Sequence, residues 1–441
     1  MHHSLYIFAI AFIVRILNLY LNQINVDTYL IEDQIMYWEW SLKNAYTPYN
    51  LIEPKLLLER MPGSFLFFQL ATWLVGENLF NILIIQIIID AINCVVIAFI
   101  ARTINKSLFI LAGIVSAFSP VMVIVSSQIL SDTIFLFFFS IATLCILNFI
   151  KHKKENWVYL GSLFLGLALF TRVVVLPLIF LIPILIFYIF HKEKYNILKI
   201  IRIASIFFII SFSLVTPRIL NNYYNYNTFA LTSQSGSHFA YWVLPAVLDF
   251  DSEEKKIQYK EKLEELNKIM GGIDNPFEQS DLLQKEAFNF LWATEKKLIL
   301  LAWVKGTVLN ILAPPFIIDK RFRNLPHPSF YENDRNILKW LTSIFNKNEF
   351  KKYKILLFIS ATFSLFFLIL FSYGSFLIYK NYFQSALIFL IIILYFLAVT
   401  GPVFSPKYIH PIIPFLIILE VLALKRFFEL LIKPIINAKS N

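Results

Sequence analysis

The chain has 441 residues, 58% of them hydrophobic, 17% aromatic and only 15% charged, with a mean hydropathy of +0.67. That composition excludes an ordinary soluble domain and fits a chain that crosses a bilayer many times. The formal charge of +10 does not point to a nucleic-acid partner, because Lys and Arg gather in short connections between apolar runs, where they set membrane topology.

In chain order, spanning helices are predicted over 4–22, 79–101, 107–126, 130–150, 157–171, 173–190, 198–216, 353–379, 382–400 and 410–431, each apolar and about long enough to cross a hydrocarbon core. The first of these, in MHHSLYIFAIAFIVRILNLYLNQ, carries Arg15 and no small-residue cleavage site, so it reads as a retained helix rather than a signal peptide. Two shorter apolar pieces, 63–75 and 298–313, are predicted to be juxtamembrane or re-entrant. The fold class is therefore all-α and polytopic, with roughly ten to twelve transmembrane helices. It divides into an N-terminal membrane module, 1–216, with a first external loop at 23–78; a large late external loop region, 217–352; and C-terminal membrane helices, 353–441. Within the late loop, SEEKKIQYKEKLEELNKIMGG is predicted to be a solvated helix ended by Gly271 and Gly272. Cys94 and Cys145 are the only cysteines and both fall inside predicted spans, which supports neither a disulfide framework nor a zinc site.

Orientation follows from the basic connections. RTINK at 102–106, KHKKEN at 151–156, HKEKYNILK at 191–199 and the tail from Lys425 are expected on the cytoplasmic side. Segment 23–60 then lies outside, with six acids (Asp27, Glu32, Asp33, Glu39, Glu53, Glu59) against three bases (Lys43, Lys55, Arg60). One conflict stands: 314–352 holds eight Lys or Arg against four Asp or Glu, yet the helix count leaves it outside. Long loops are largely exempt from the charge rule, so the external assignment is kept. A soluble excursion of this size suggests an outward-facing membrane enzyme more than a channel.

No P-loop, HExxH, GxSxG or paired CxxC motif is present, and with only 11 Gly a glycine-rich nucleotide cradle is not expected. What stands out is a set of polar residues at the outward ends of helices: Asp33, Arg60 before the proline of ERMPGSFLFF, Asp132 opening SDTIFLFFF, Arg172 after GLALFT, and Arg218 after SLVTP. Each has a plain alternative. Asp33 and Asp132 suit helix starts, where an acid complements the macrodipole, and the arginines can anchor at headgroups. Their convergence on one face is what favours a site.

These residues resemble the polyprenyl-phosphate-sugar-dependent glycosyltransferases of the GT-C fold, which include protein O-mannosyltransferases and lipid A aminoarabinose transferases. That family's Asp-Glu-x-x-Tyr is matched by Asp33, Gln34 and Tyr37 of DQIMY, and its Arg-x-Pro-Gly by Arg60, Pro62 and Gly63 of RMPGSF. Asp132 resembles the family's acid at the outer start of a helix, Gly166 to Arg172 its Gly-Leu-Ala-x-x-Thr-Arg stretch, PRILNN its Pro-Trp-x-x-Arg-Asn motif, and KYIHPIIP (Lys407, Tyr408, Pro411, Pro414) its terminal Arg-Tyr-x-x-Pro-x-x-Pro. Gln34 stands where the pattern has Glu, and Asn221 and Lys407 where it has Arg. Glu32 is the one acid placed to supply the missing carboxylate.

The resemblance implies an inverting transfer of a sugar from a polyprenyl-phosphate donor to a hydroxyl of a surface glycan, lipid or protein. It implies Asp33 as general base, and Arg60, Asp132, Arg172, Arg218, Lys407, Tyr408, Tyr37 and Glu32 as donor-phosphate or substrate residues. Location would be the inner (plasma) membrane, with the site facing the periplasm or exterior. No cofactor is assigned, a divalent cation is left open, and His238 and His410 carry no ligand spacing. Tyr37, Trp38 and Trp40 suit either stacking on a sugar or prenyl chain or an interfacial aromatic belt. SQSGSHFAYW suits either an acceptor surface or a plain connection. Two other classes fit the composition: another membrane polysaccharide polymerase or ligase, with key basic and His residues in the late loop, and a secondary transporter, which should show paired halves and polar residues at mid-membrane.

Overall fold

The computed structural model describes residues 2–22, 29–42, 55–313, 315–330 and 336–439. Asp27, Lys43 and Glu53 of the first loop lie outside these residues.

The described chain is helical throughout, as its composition requires of backbone placed in hydrocarbon. Its main helices are α1 (His2–Leu21), α2 (Asp33–Leu42), α3 (Pro62–Val75), α4 (Leu79–Ile104), α5 (Phe109–Phe118), α6 (Pro120–Ser126), α7 (Ser131–His152), α8 (Glu155–Thr171), α9 (Leu176–Lys192), α10 (Ile197–Ser213) and α11 (Thr216–Tyr226). They continue as α12 (Glu253–Met270), α13 (Pro276–Ala293), α14 (Lys296–Leu312), α15 (Ile337–Asn346), α16 (Lys351–Asn381), α17 (Phe383–Thr400) and α18 (Ile413–Lys439). Six of the described helical segments are long and apolar enough to cross a membrane, or eight when two bent pairs each count as one span. α8 and α18, where spans are also predicted, pack among them.

Both bends have a local cause in proline. α5 and α6 meet at 54°, where Pro120 lacks an N–H and disfavours helix in the residue before it. α10 and α11 meet at 59° just before Pro217. α3 starts with Pro62 in its first turn, and α12, predicted as a helix ended by Gly271 and Gly272, runs from a Ser252 cap, whose hydroxyl accepts from the Lys255 N–H, to Gly271.

The deepest polar feature is Arg15. Its Nε lies 2.5 Å from Asp90 Oδ2, with both side chains fully buried. Its two terminal nitrogens reach the carbonyls of Ala11 and Ala117 at 3.1 Å and the sulfur of Cys94 at 3.2 Å. One guanidinium thus ties α1 to α4 and α5. Elsewhere the bundle closes by backbone contact: a Cβ on Gly374 would come 2.0 Å from the Leu419 carbonyl oxygen, so α16 and α18 pack this closely only because position 374 is glycine.

The two ends of the bundle differ in charge. One gathers the basic connections: Lys151 Nζ donates to Thr103 O at 2.6 Å, Lys153 pairs with Glu193 at 2.7 Å, and Lys425 donates to Ser107. The other end carries α2, the start of α3 and the late loop. α12 and α13 bury Tyr259, Leu266, Leu283 and Ala287 in a small core of their own, joined by Leu244 and Leu248. The segment after α14 folds back onto the membrane module and its first loop: Ile318 O accepts from Gln128 Nε2 at 2.8 Å, Arg321 donates to Asn18 Oδ1 of α1 at 2.7 Å, and Arg323 pairs with Glu32 of the first loop at 2.8 Å. The Arg323–Glu32 pair brings the basic stretch 315–323 to the same end of the bundle as the acidic first loop.

Replacing Arg15 with Met should leave Asp90 as an unpaired buried charge and lower stability by about 3–5 kcal/mol, whereas Arg15→Met with Asp90→Leu should lose less. Unfolding of the purified protein in detergent, followed by heat or denaturant, reads both values.

Candidate active site

The site begins where α2 begins. Glu32 takes a left-handed conformation (φ 52), which turns the chain so that Asp33 opens the helix with its carboxylate in the first turn. Asp33 Oδ1 lies 3.2 Å from Arg60 Nη2, and Oδ2 lies 3.8 Å from Lys407 Nζ. Tyr37, four residues on and therefore on the same helix face, is buried against Phe65 and Phe68 with ring centroids 5.0 and 6.0 Å away. Trp38 is also buried, so this part of the aromatic cluster serves as core.

Arg60 stands just before α3. That helix docks on α8 through Gly63, where a Cβ would come 2.6 Å from the Phe170 carbonyl oxygen. The Arg60 loop is held from behind by Arg218, which is buried and donates to the carbonyls of Leu57 at 3.0 Å, Leu231 at 3.2 Å and Arg60 at 3.5 Å. Arg218 therefore faces backbone carbonyls and shapes the loop that presents Arg60. Arg60 Nε, by contrast, is a buried N–H with no acceptor. A buried donor left unmade is costly, so this atom is a demand for an oxygen.

The second pair is Asp132 with Arg172. Asp132 lies in the first turn of α7; Arg172 ends α8 in extended conformation and its guanidinium bonds Asp132 Oδ1 while standing 5.7 Å from the Phe135 ring centre. Burial works against the Arg172 charge, but the adjacent Asp132 carboxylate outweighs it and holds the guanidinium above its ordinary value. Tyr408 lies within the field of both pairs. Burial first, against Arg172 and with the Asp33 and Asp132 carboxylates, pushes its phenol above the usual 10.0, so it stays a neutral donor at physiological pH.

Of the residues singled out from the sequence, Asp33, Arg60, Asp132, Arg172, Lys407, Tyr408 and Tyr37 come together at one end. Glu32 is turned instead to Arg323 and straps the late loop. Asn221, at the position where the family pattern has Arg, sits on α11 with its Oδ1 accepting from Asn225 Nδ2 at 3.0 Å. The stretch 233–242 is brought beside the site: the Ser233 N–H donates to Leu58 O at 3.0 Å, and His238 feels the Arg60 charge.

Two further residues are notable for their burial: Gln34, which the sequence marks only as a departure from the family pattern, and His410, which carries no ligand spacing. Gln34 is almost wholly buried, with its side-chain oxygen unpartnered. His410 is buried with neither ring nitrogen bonded and lies in the field of both Asp132–Arg172 and Asp90–Arg15. Among the described residues no group of three or more His, Cys, Asp or Glu side chains is arranged to hold a metal ion.

Chemically, three cations surround two carboxylates at the rim of a helical bundle, with one arginine N–H lacking an acceptor. Cations in this number can make charge-assisted hydrogen bonds to an anionic group. Residues 59–220, more than a third of the chain, match the model of the dolichyl-phosphate-mannose-protein mannosyltransferase family. The match covers Arg60, Asp132, Arg172 and Arg218 and leaves out Asp33, Lys407 and Tyr408. Comparison with curated proteins returns no match. On an all-helical polytopic chain, the family match supports a membrane glycosyltransferase of the GT-C type.

His238 gives a pH signature. Burial, and then the Arg60 charge, hold its imidazole below the ordinary 6.5. As pH falls past 6.5 the unfolded chain takes up this proton before the folded one, so the stability present above 6.5 is lost as pH drops toward the folded value. Melting temperatures measured from about pH 8 to pH 5 should fall less steeply in His238→Gln than in the native protein.

Proposed function

We propose that the chain is an inverting glycosyltransferase that moves a sugar from a polyprenyl-phosphate donor to a hydroxyl of a surface glycan, lipid or protein. The observation that carries this reading is Asp33 held between Arg60 and Lys407, beside Asp132–Arg172, with Arg60 Nε still lacking an acceptor.

A phosphodiester oxygen supplies the acceptor that Arg60 Nε lacks, and Lys407 and Arg172 add charge-assisted contacts where the medium is partly dry. As that phosphate displaces the Asp33–Arg60 contact, Asp33 is freed to act as base. The acceptor hydroxyl gives its proton to the Asp33 carboxylate while its oxygen bonds the anomeric carbon. The bond from that carbon to the phosphate oxygen breaks, its electron pair leaves on the polyprenyl phosphate, and the cations stabilise the charge that develops there. A single displacement inverts the anomeric centre, and Asp33 then returns its proton to water. Tyr408, neutral and within the field of both carboxylates, suits a hydrogen bond to the sugar or the phosphate.

Orientation supports an outward site. The basic connections collect at one end of the bundle, and Lys and Arg favour the cytoplasmic side, which supports an outer-face location for Asp33 and its partners at the other end.

The test is made in the organism that carries the gene, with the gene deleted and then supplied as native or Asp33→Asn. Mass spectrometry of surface glycans and glycoproteins should show transfer reduced by about 10²–10⁴-fold in Asp33→Asn, with an unused polyprenyl-phosphate sugar accumulating. Full transfer by Asp33→Asn would sink the assignment.

A further inference from the structure

Lys407 and Tyr408 stand on a short 3-10 turn, Pro406–Ile412, reached through five residues, 401–405, that have no helix of their own. The stretch leaves α17 at Gly401, whose φ of 60 suits glycine. Its course sets where the Lys407 ammonium falls, 3.8 Å from Asp33 Oδ2.

One face of α14, a helix of the late loop, grips that stretch. Trp303, Gly306 and Asn310 lie three and four residues apart and so form a single stripe. Trp303 Nε1 donates to Ala398 O near the end of α17, at 3.1 Å. A Cβ on Gly306 would come 2.4 Å from Gly401 O and 2.6 Å from Pro402 Cα, so backbone meets backbone there. Asn310 is wholly buried; its Nδ2 donates to Val403 O at 2.9 Å, and its Oδ1 accepts from the Ser405 N–H, also at 2.9 Å. Neither of those groups bonds backbone elsewhere among the described residues, so one amide satisfies both, as a neighbouring strand would. Ser405 is extended (φ −164, ψ 133), which suits the residue before Pro406, and its carbonyl accepts from the Tyr408 N–H at 2.9 Å. Ser405 therefore bonds Asn310 on one side and closes the Lys407 turn on the other.

We propose that Asn310 is a positioning residue: it fixes the 403–405 backbone and so holds the Lys407 ammonium where the donor phosphate is bound. The ligand in this inference rests on the glycosyltransferase reading; the geometry rests on the α14 contacts. Both bonds of Asn310 are to backbone, so it acts on the donor through Lys407. Asn310 and Lys407 lie outside the family match at 59–220, which assigns neither.

The test compares the native chain with Asn310→Leu, Gly306→Ala, Lys407→Met and the double variant Asn310→Leu with Lys407→Met, each purified in detergent. Two quantities are read. The first is the preference for undecaprenyl phosphate over undecaprenol, the ratio of their Kd values, which a general loosening of the fold would not move because it weakens both ligands alike. The second is acylation of Lys407 by a water-soluble amine-reactive ester, measured by mass spectrometry against Lys425 at the other end of the bundle. Asn310→Leu keeps the side chain's size and strands Val403 O and the Ser405 N–H. It should lower the preference by about fivefold or more, as Lys407→Met should, and the double variant should stay within about twofold of Lys407→Met, since both act through one ammonium. Acylation of Lys407 should rise by about twofold or more as the stretch opens, with Lys425 unchanged. Gly306→Ala, which pushes on Gly401 instead of unbonding Val403, should move both readings the same way and carries the test if Asn310→Leu does not fold. Native preference and native acylation in the two α14 variants would overturn the inference. So would a double variant whose loss is the product of the single losses. If the native protein shows no preference for the phosphate, the glycosyltransferase reading falls, and Lys407 acylation alone decides whether Asn310 positions it.

Discussion

A charge placed at membrane depth has to be paired, and that constraint organises this molecule. Three ion pairs descend from the outer rim into the bundle. Arg15–Asp90 is sealed, with both side chains at 0% exposure; Asp132–Arg172 is intermediate, at 6% and 27%; Asp33 with Arg60 and Lys407 stands at 41%, 23% and 26%. The sealed pair cannot be opened without stranding a charge, so it works as a staple of α1, α4 and α5. The outermost set is weakly held, because partly solvated pairs are worth little, and can exchange its carboxylate for another anion. The same chemistry therefore yields architecture at one depth and a binding site at another.

Much of the fold was legible because hydrocarbon permits few solutions. The run predicted at 79–101 is the helix Leu79–Ile104, and that predicted at 130–150 is Ser131–His152. What the sequence could not show were partners. Arg15 was visible as an oddity in an apolar run, but Asp90 lies 75 residues away and only packing brings them together. Arg218 and Arg60 look alike in sequence, each beside a proline. One spends its guanidinium on carbonyls and the other keeps an N–H unpaired, a distinction set by where Leu57 and Leu231 fall. The basic excess of 314–352 stood in conflict with the helix count, and the sequence could not show that part of it is paired: Arg323 meets Glu32 across nearly 300 residues, and Arg321 meets Asp319.

The position of the site also accounts for what the chain lacks. A donor delivered by lipid diffuses in the plane of the membrane and arrives already activated, so no glycine-rich nucleotide cradle is called for. Under the proposed function, cations at helix ends are the matching device for a lipid-borne phosphate. The late loop is held to the membrane module rather than appended to it, through Ile318 on Gln128, Arg321 on Asn18 and Arg323 on Glu32.

The central claim, that these cations hold a lipid phosphate, is tested most directly by comparing undecaprenyl phosphate with undecaprenol as ligands of the purified native protein. The two share a chain and differ only in the charged head. The account expects saturable binding of the phosphate that weakens as salt is raised, and at least about tenfold weaker binding of the alcohol. Equal binding of the two would mean that the protein grips only the prenyl chain, and would contradict it.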